Sequence, residues 1–265
     1  MNFLFELGVE ELPSRYVDIS EKALKDKMIK FLNEERIKFS KIESFSTPRR
    51  LAFVIQDLAE KQEDLNEVKL GPNYAVAIKD GKATKALLGF LAANNLKENE
   101  YKLIDTAKGK YVQIQKFIKG KNTVDILPEI LEKALKSLEF ERTMKWGRHE
   151  FRFVRPIKWI VALLGKNILD FNFEGIKAGN KTRGIRVFAS QDIEIDEITN
   201  YEKLLEQNYV IVNHEKRRQM IIDSIHKNCD SSDKKTQIDE KLLEEVTNLV
   251  EYPYAILGSF DEAYL

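Results

Sequence analysis

The chain has 265 residues, 43% of them hydrophobic and 32% charged, and its 43 basic and 43 acidic side chains cancel at neutral pH. That length holds one large domain or two ordinary ones, with enough apolar residues to fill a core. Balanced charge excludes a uniformly basic nucleic-acid coat, the lone Cys229 excludes an internal disulfide, and three histidines beside that cysteine argue against a structural zinc site.

The first residues lack the basic lead and long apolar run of a signal peptide, and the longest apolar runs fall short of a membrane span. A soluble protein of the reducing cytoplasm is expected. In chain order, residues 3–7 read as a strand. From Pro13 to Asn33 the pattern is helical, with Val17, Leu24, Met28, Phe31 and Leu32 on one face. Pro13 suits the first turn, where no amide hydrogen is needed. Residues 42–46 and 51–58 read as strands flanking Ser46-Thr47-Pro48-Arg49-Arg50, and residues 60–82 are polar and turn-rich. A short helix is expected over 84–95, with Leu87, Phe90 and Leu91 inward. A β-hairpin follows, 102–106 with 111–118, turning through Lys108-Gly109-Lys110. "KGKNT" (119–123) also reads as a hairpin turn rather than a phosphate cradle.

Thr123 or Asp125 is placed to cap the next helix, whose stripe is Leu127, Ile130, Leu131, Ala134, Leu135 and Leu138. Strands are expected at 151–154, 159–164, 169–173 and 185–189. The last third is helical: Asn213 caps a helix carrying Met220, Ile221 and Ile225, and residues 231–235 form a loop. Asp239 opens a helix with Leu242, Leu243, Val246, Leu249 and Val250, ended by Pro253. Strands and helices mix without strict alternation, which points to an α+β fold of several small mixed subdomains, mainly antiparallel sheets with flanking helices. The parts expected are an N-terminal α/β part (1–62), an inserted helix-hairpin-helix subdomain (63–143), a β-rich basic part (144–200) and a mostly helical acidic part (201–265).

Neutrality hides segregation. Residues 145–186 hold ten basic side chains, Lys145, Arg148, Arg152, Arg155, Lys158, Lys166, Lys177, Lys181, Arg183 and Arg186, against three acids; residues 230–265 hold nine acids and three bases. Arginine suits bidentate phosphate contact and stacking on bases, and Trp146, Phe151, Phe153 and Trp159 interleave with the basic residues. Two readings stand: a surface for an RNA backbone, or a solvated strand face over an aromatic core, since Phe151 and Phe153 alternate with Arg152 as in any half-buried strand.

No Gly-rich phosphate loop, His-x-x-x-His pair or Gly-x-Ser-x-Gly turn is present, and no catalytic residue or metal ligand is assigned. His149, His214 and His226 read as surface or capping residues, and Cys229 as an ordinary thiol. Strand alternation sends Arg49 and Arg50 to opposite faces, one to pair with Glu10 or Glu11 and the other to reach a ligand or partner. A simple edge-strand charge pair is the alternative. Glu10 and Glu11 precede a helix, where carboxylates meet its positive end.

"ELGVEELP" (6–13), "TPRRLA" (47–52), "LGP" (70–72), "MKWG" (144–147), "FVRPIKWIVALLG" (153–165), "TRGIRVF" (182–188) and "LLEEVTNLVEYPYAILGSFDEAYL" (242–265) occur in one order. Each motif is weak and the ordered set is specific. Together, over the whole chain, they resemble the amino-terminal part of the β subunit of bacterial heterotetrameric glycyl-tRNA synthetase. The resemblance implies an α₂β₂ assembly that joins glycine to its tRNA. ATP and Mg²⁺ are then used in the α subunit, and no cofactor is held by this chain. It implies partners in the α subunit and glycine tRNA, with no DNA and no membrane. It also implies a longer β chain, of which this sequence is a fragment inactive alone. With tRNA as partner, the RNA- or α-binding candidates are Arg49, Arg50, Lys145, Arg148, Arg152, Arg155, Lys181, Arg183 and Arg186. Glu10 and Glu11 are candidates for structural ion pairs.

Overall fold

The computed structural model describes residues 1–265 except 149, 190, 231–236, 259, 260, 262, 264 and 265. His149, the loop at 231–235 and most of the final six residues therefore lie outside the described residues. The chain divides into two compact units, Lys61–Lys121 and, on either side of it in sequence, Met1–Glu60 with Asn122–Leu265.

The elements in order are β1 (Phe3–Val9), α1 (Ser14–Glu34), β2 (Lys41–Thr47), β3 (Arg50–Gln56), β4 (Leu65–Asn73), α2 (Tyr74–Ala77), β5 (Ile78–Lys79), β6 (Lys82–Ala83), α3 (Lys85–Ala93), β7 (Lys102–Thr106) and β8 (Gly109–Ile118). Then come α4 (Thr123–Lys136), β9 (Ile157–Leu164), β10 (Asn167–Ile168), β11 (Asn172–Phe173), β12 (Ile176–Lys177), β13 (Lys181–Arg183), β14 (Asp192–Glu194), α5 (Tyr201–Gln207), α6 (His214–Asp230) and α7 (Glu240–Thr247). Helices and small antiparallel sheets together make the fold α+β. No helix among the described residues is long and apolar enough to cross a membrane.

The larger unit is built on an antiparallel sheet in the order β10-β9-β1-β3-β2. Strand β1 is central, and all seven of its residues are buried. Its odd residues, Phe3, Phe5, Leu7 and Val9, enter a core with Val17, Leu24 and Met28 of α1 and Leu127, Ile130 and Leu131 of α4. Alternation sends its even residues to the other face, where Leu4 joins Phe45, Trp159, Tyr201, Leu205 and Val212 in a second core. A strand buried on both faces reads as a continuous apolar run, so Glu6 within it demands internal partners.

Gly8 lies opposite Arg50 on one side and Trp159 on the other. A Cβ built there would stand 1.9 Å from Trp159 Cδ2. The indole is 7% exposed and cannot swing aside into solvent. Gly8→Ala is expected to cost about 2–3 kcal/mol by overpacking. Denaturant unfolding followed by tryptophan emission measures it, since Trp146 and Trp159, the protein's two tryptophans, both belong to this unit.

The smaller unit is a three-stranded antiparallel sheet, β4-β8-β7, with Ala77, Leu87, Leu91, Val112 and Ile114 as its core. Thr84 caps α3 by accepting from Leu87 N. The expected hairpin turn at Gly109 holds, with φ +110°. "KGKNT" is not a hairpin turn. Lys119–Lys121 runs alongside Gln62, whose N donates to Lys121 O at 2.9 Å, before the chain enters α4.

Other differences from the sequence pattern have local causes. The polar stretch 60–82 contains β4, because Leu65, Glu67 and Lys69 alternate with more exposed residues on a strand edge that charges mask. Residues 151–154 make only an isolated bridge, Met144 with Phe153, since Arg152 turns back to Thr143 Oγ1 at 3.0 Å. Only Asn172–Phe173 of 169–173 is strand. Residues 185–189 form a turn, closed by Ala189 N donating to Ile185 O at 2.9 Å. The strand there is β13, which begins four residues earlier. Thr123 begins α4 but turns its hydroxyl to Ala59 O at 2.6 Å instead of capping, and α4 packs with α1. Asn213 and Asp239 cap α6 and α7 as expected, accepting from Lys216 N and from Lys241 N and Leu242 N. Helix α7 stops at Thr247, well before Pro253.

Candidate functional site

Four strands, β1, β3, β9 and β13, and the acidic segment around Glu251 converge on Glu6 and Arg50, both 0% exposed. Arg50 Nη1 lies 3.6 Å from Glu6 Oε2, and Nη2 donates to Glu251 Oε1 at 3.1 Å. Glu6 also accepts from Trp159 Nε1, from Thr182 Oγ1 at 2.6 Å and from the Tyr201 hydroxyl. Thr47 Oγ1 donates to Glu251 Oε1 at 2.8 Å, and Arg49 Nη1 stands 3.4 Å from Glu251 Oε2. Two cations and two carboxylates thus close a neutral set inside the protein. Burial works against the Arg50 cation, but the Glu251 and Glu6 carboxylates outweigh it and hold its pKa above the ordinary value. Burial, reinforced by Glu6, pushes the Tyr201 phenol well up, so it stays a neutral donor. Burial lowers Arg49, with Glu251 opposing.

This pairing corrects the expectation from alternation. Arg49 belongs to the two-residue turn between β2 and β3, not to a strand, so both guanidiniums reach the same carboxylate. Arg50 has no exposed surface with which to meet a phosphate, and Arg49 is 8% exposed. Glu10 and Glu11 pair elsewhere. Glu10 is held by Arg186 and by Lys158 at 3.3 Å, and Glu11 lies 3.7 Å from Arg186. Arg186, more than burial, sets the Glu10 carboxyl below its ordinary range. Both acids precede α1, whose first turn holds none.

What the closed network does is present a loop. Arg50 Nη2 donates to Arg183 O at 2.7 Å, and Arg49 Nη1 to Gly184 O at 3.2 Å. Three guanidiniums lie over the Trp159 ring, Arg183 nearest at 5.0 Å. Beyond this anchor the chain turns outward with Arg186 exposed, Val187 77% exposed and Phe188 74% exposed. Phe188 meets Tyr209 edge-on at 5.8 Å, and Tyr209 meets Tyr252 at 5.5 Å.

The basic candidates do not form one surface. Arg49, Arg50 and Arg183 lie over the Trp159 ring, and Arg186 pairs with Glu10 beside Lys158. Lys145 pairs with Glu150, Arg148 is exposed, Arg152 binds Thr143, and half-buried Arg155 donates to Val154 O; all belong to the 144–155 segment. Lys181 is exposed on β13, and Arg183 pairs with Asp192 at 3.3 Å. Trp146, Phe151, Phe153 and Trp159 pack into the two cores, so the exposed rings near the 183–189 loop are those of Phe188, Tyr209 and Tyr252. Sequence reasoning passed over Glu6, Thr182, Tyr201 and Glu251. The available signal was a lone carboxylate in an otherwise apolar strand.

A family model described as glycyl-tRNA synthetase beta subunit matches residues 3–265. The chain belongs to this family. Among curated relatives named glycine–tRNA ligase beta subunit, that of Halalkalibacterium halodurans is 43% identical over 265 residues, which is 100% of this chain and 38% of that one. The Clostridioides difficile protein is 40% identical over 263 residues, 99% of this chain and 38% of its own. A Streptococcus agalactiae protein is 41% identical over 265 residues, 100% of this chain and 39% of its own. The chain thus corresponds to a little under two fifths of the β-subunit relatives. The buried Glu6–Arg50–Glu251 set falls within three of the stretches by which the β-subunit resemblance is recognised: "ELGVEELP", "TPRRLA" and the terminal acidic segment.

Proposed function

We propose that this chain serves a cytoplasmic glycine–tRNA ligase as a non-catalytic part of its β subunit, positioning glycine tRNA and docking the α subunit. ATP, Mg²⁺ and glycine activation belong to the α subunit, and this chain alone is inactive in glycine-dependent ATP–pyrophosphate exchange. The observation that carries the reading is the family match across nearly the whole chain. It is supported by the outward loop at 183–189, where an arginine and an exposed ring stand together on a buried anchor. Arginine offers charge to phosphates and aromatic faces offer stacking to unpaired bases.

Binding of glycine tRNA is expected to fall steeply as salt rises, because phosphate contacts release counterions. Arg186→Glu, at a side chain 54% exposed, is expected to weaken it at least tenfold while the melting temperature stays within a degree or two of wild type. Titration against glycine tRNA and a non-cognate tRNA across a salt series decides. Flat salt dependence would sink the RNA surface.

A second reading, a module for subunit assembly alone, has its own support. Val187, Phe188, Tyr209 and Tyr252 form an exposed apolar group of the kind that meets protein partners. It predicts α-subunit binding that Phe188→Ala weakens, with no measurable tRNA affinity.

A further inference from the structure

Away from this network, three side chains on three helices face one another: Asp18 of α1, His214 at the start of α6 and Glu244 of α7. One ligand atom from each lies within 4.8 Å of the others. His214 Nε2 stands 3.2 Å from Glu244 Oε1 and 3.8 Å from Asp18 Oδ1. It is nevertheless buried and without a hydrogen-bond partner. A ring nitrogen close to two carboxylate oxygens yet hydrogen-bonded to neither is a donor set that a cation between them would complete. We propose that Asp18, His214 and Glu244 form a binding site for a divalent transition-metal cation of the zinc class.

The geometry fits that ion. Tetrahedral coordination with bonds of ~2.0–2.1 Å puts neighbouring ligand atoms about 3.3–3.5 Å apart, close to the two separations seen. An imidazole among the donors selects zinc-class metals over Mg²⁺ and Ca²⁺, which favour oxygen alone. The supporting groups are in place as well. Asn248, 3% exposed, donates Nδ2 to Asp18 Oδ2 at 2.6 Å, leaving Oδ1 toward His214. Glu215 Oε1 lies 3.7 Å from the other ring nitrogen, Nδ1, where a carboxylate favours a free lone pair on Nε2.

The site opens on a cleft of about 550 Å³ lined also by Glu21, Lys22, Lys25 and Ser44. Three protein ligands and an open side leave room for water in the fourth position. Carboxylates here replace the cysteines whose scarcity spoke against zinc. Because the donors come from positions 18, 214 and 244, the ion would clip the first helix to the last two.

Thermal melting of the whole chain with added zinc chloride or magnesium chloride, beside a chelator-treated control, tests the site. Zinc is expected to raise the melting temperature by about 5 °C at saturation and magnesium to leave it unchanged. His214→Ala should abolish the zinc response, whereas a His226→Ala/Cys229→Ser double variant should keep it. Should His214→Ala fail to fold, Glu244→Gln and the visible spectrum of the cobalt-loaded wild type take its place. A tetrahedral cobalt spectrum lost in Glu244→Gln supports the site. A zinc response that survives His214→Ala, equal responses to both metals, or no response at all would overturn it.

Discussion

Replacing Arg50 with alanine is expected to lower the stability of the larger unit by about 3–5 kcal/mol, a fall in melting temperature on the order of 10 °C. The loss comes from what stays behind. Glu6 and Glu251 are buried at 0% and 7% exposure, and removing Arg50 leaves their charges without the cation between them. A buried pair whose charges are balanced is close to neutral for stability, but one deprived of a partner is not. Glu251→Gln is expected to cost less, because Glu6 still faces Arg50 and the amide still accepts from Thr47. A double-mutant cycle between positions 50 and 251, read by denaturant unfolding with tryptophan emission, isolates their coupling. A coupling near zero would mean that the two side chains merely occupy the same space. Loop presentation should fail along with stability, since Arg50 binds the carbonyl of Arg183.

Much of this fold was legible because its elements carry one dominant period. Of the α1 stripe, Val17, Leu24, Met28 and Leu32 are buried as helical spacing predicts and Phe31 is half-buried, and the strands at 3–9, 41–47 and 50–56 lie within a few residues of expectation. The failures cluster where side chains answer to distant partners. "GIRVF" has strand composition, but Gly184 is tightly packed beneath Ala189 and Asn208 O, and the segment turns with Val187 and Phe188 outward. The basic middle looked like one surface from its charge. In the fold Trp159 gathers some of its arginines and Thr143 holds another. Charge content is local in sequence, whereas a partner such as Glu251 for Arg50 lies 201 residues away and leaves no periodicity to read. The same holds for His214, whose carboxylate neighbours at 18 and 244 come together only when α1, α6 and α7 pack.

Among the described residues, Arg217 is a buried cation with no carboxylate hydrogen-bonded to it, and its loss is the second large effect expected. It is 0% exposed and donates to four backbone carbonyls: Nη1 to Ser46 O at 2.7 Å, Ile211 O at 2.7 Å and Val212 O at 3.1 Å, and Nε to Thr247 O at 3.2 Å. Thr247 is the last residue of α7, so the guanidinium satisfies a carbonyl that the helix itself leaves open. Burial pushes the Arg217 pKa down to about 10, which still keeps it charged at neutral pH. Arg217→Met fills similar space but leaves these acceptors unpaired. Relief of the buried charge offsets part of that penalty, and a net loss of about 3 kcal/mol is expected. Arg217→Lys should rescue little, because one ammonium cannot supply the Nε contact at Thr247 and the Nη1 contacts together. Denaturant midpoints of the two variants, compared with wild type at equal slope, measure this. Near-wild-type stability of the lysine variant would show that charge alone, not the guanidinium's shape, joins β2, α6 and α7. If lysine fails as expected, the shape of the fork holds the C-terminal helices against the sheet. The loop at 183–189 and the Asp18–His214–Glu244 cluster would then share that dependence, since each draws on chain from both sides of Arg217.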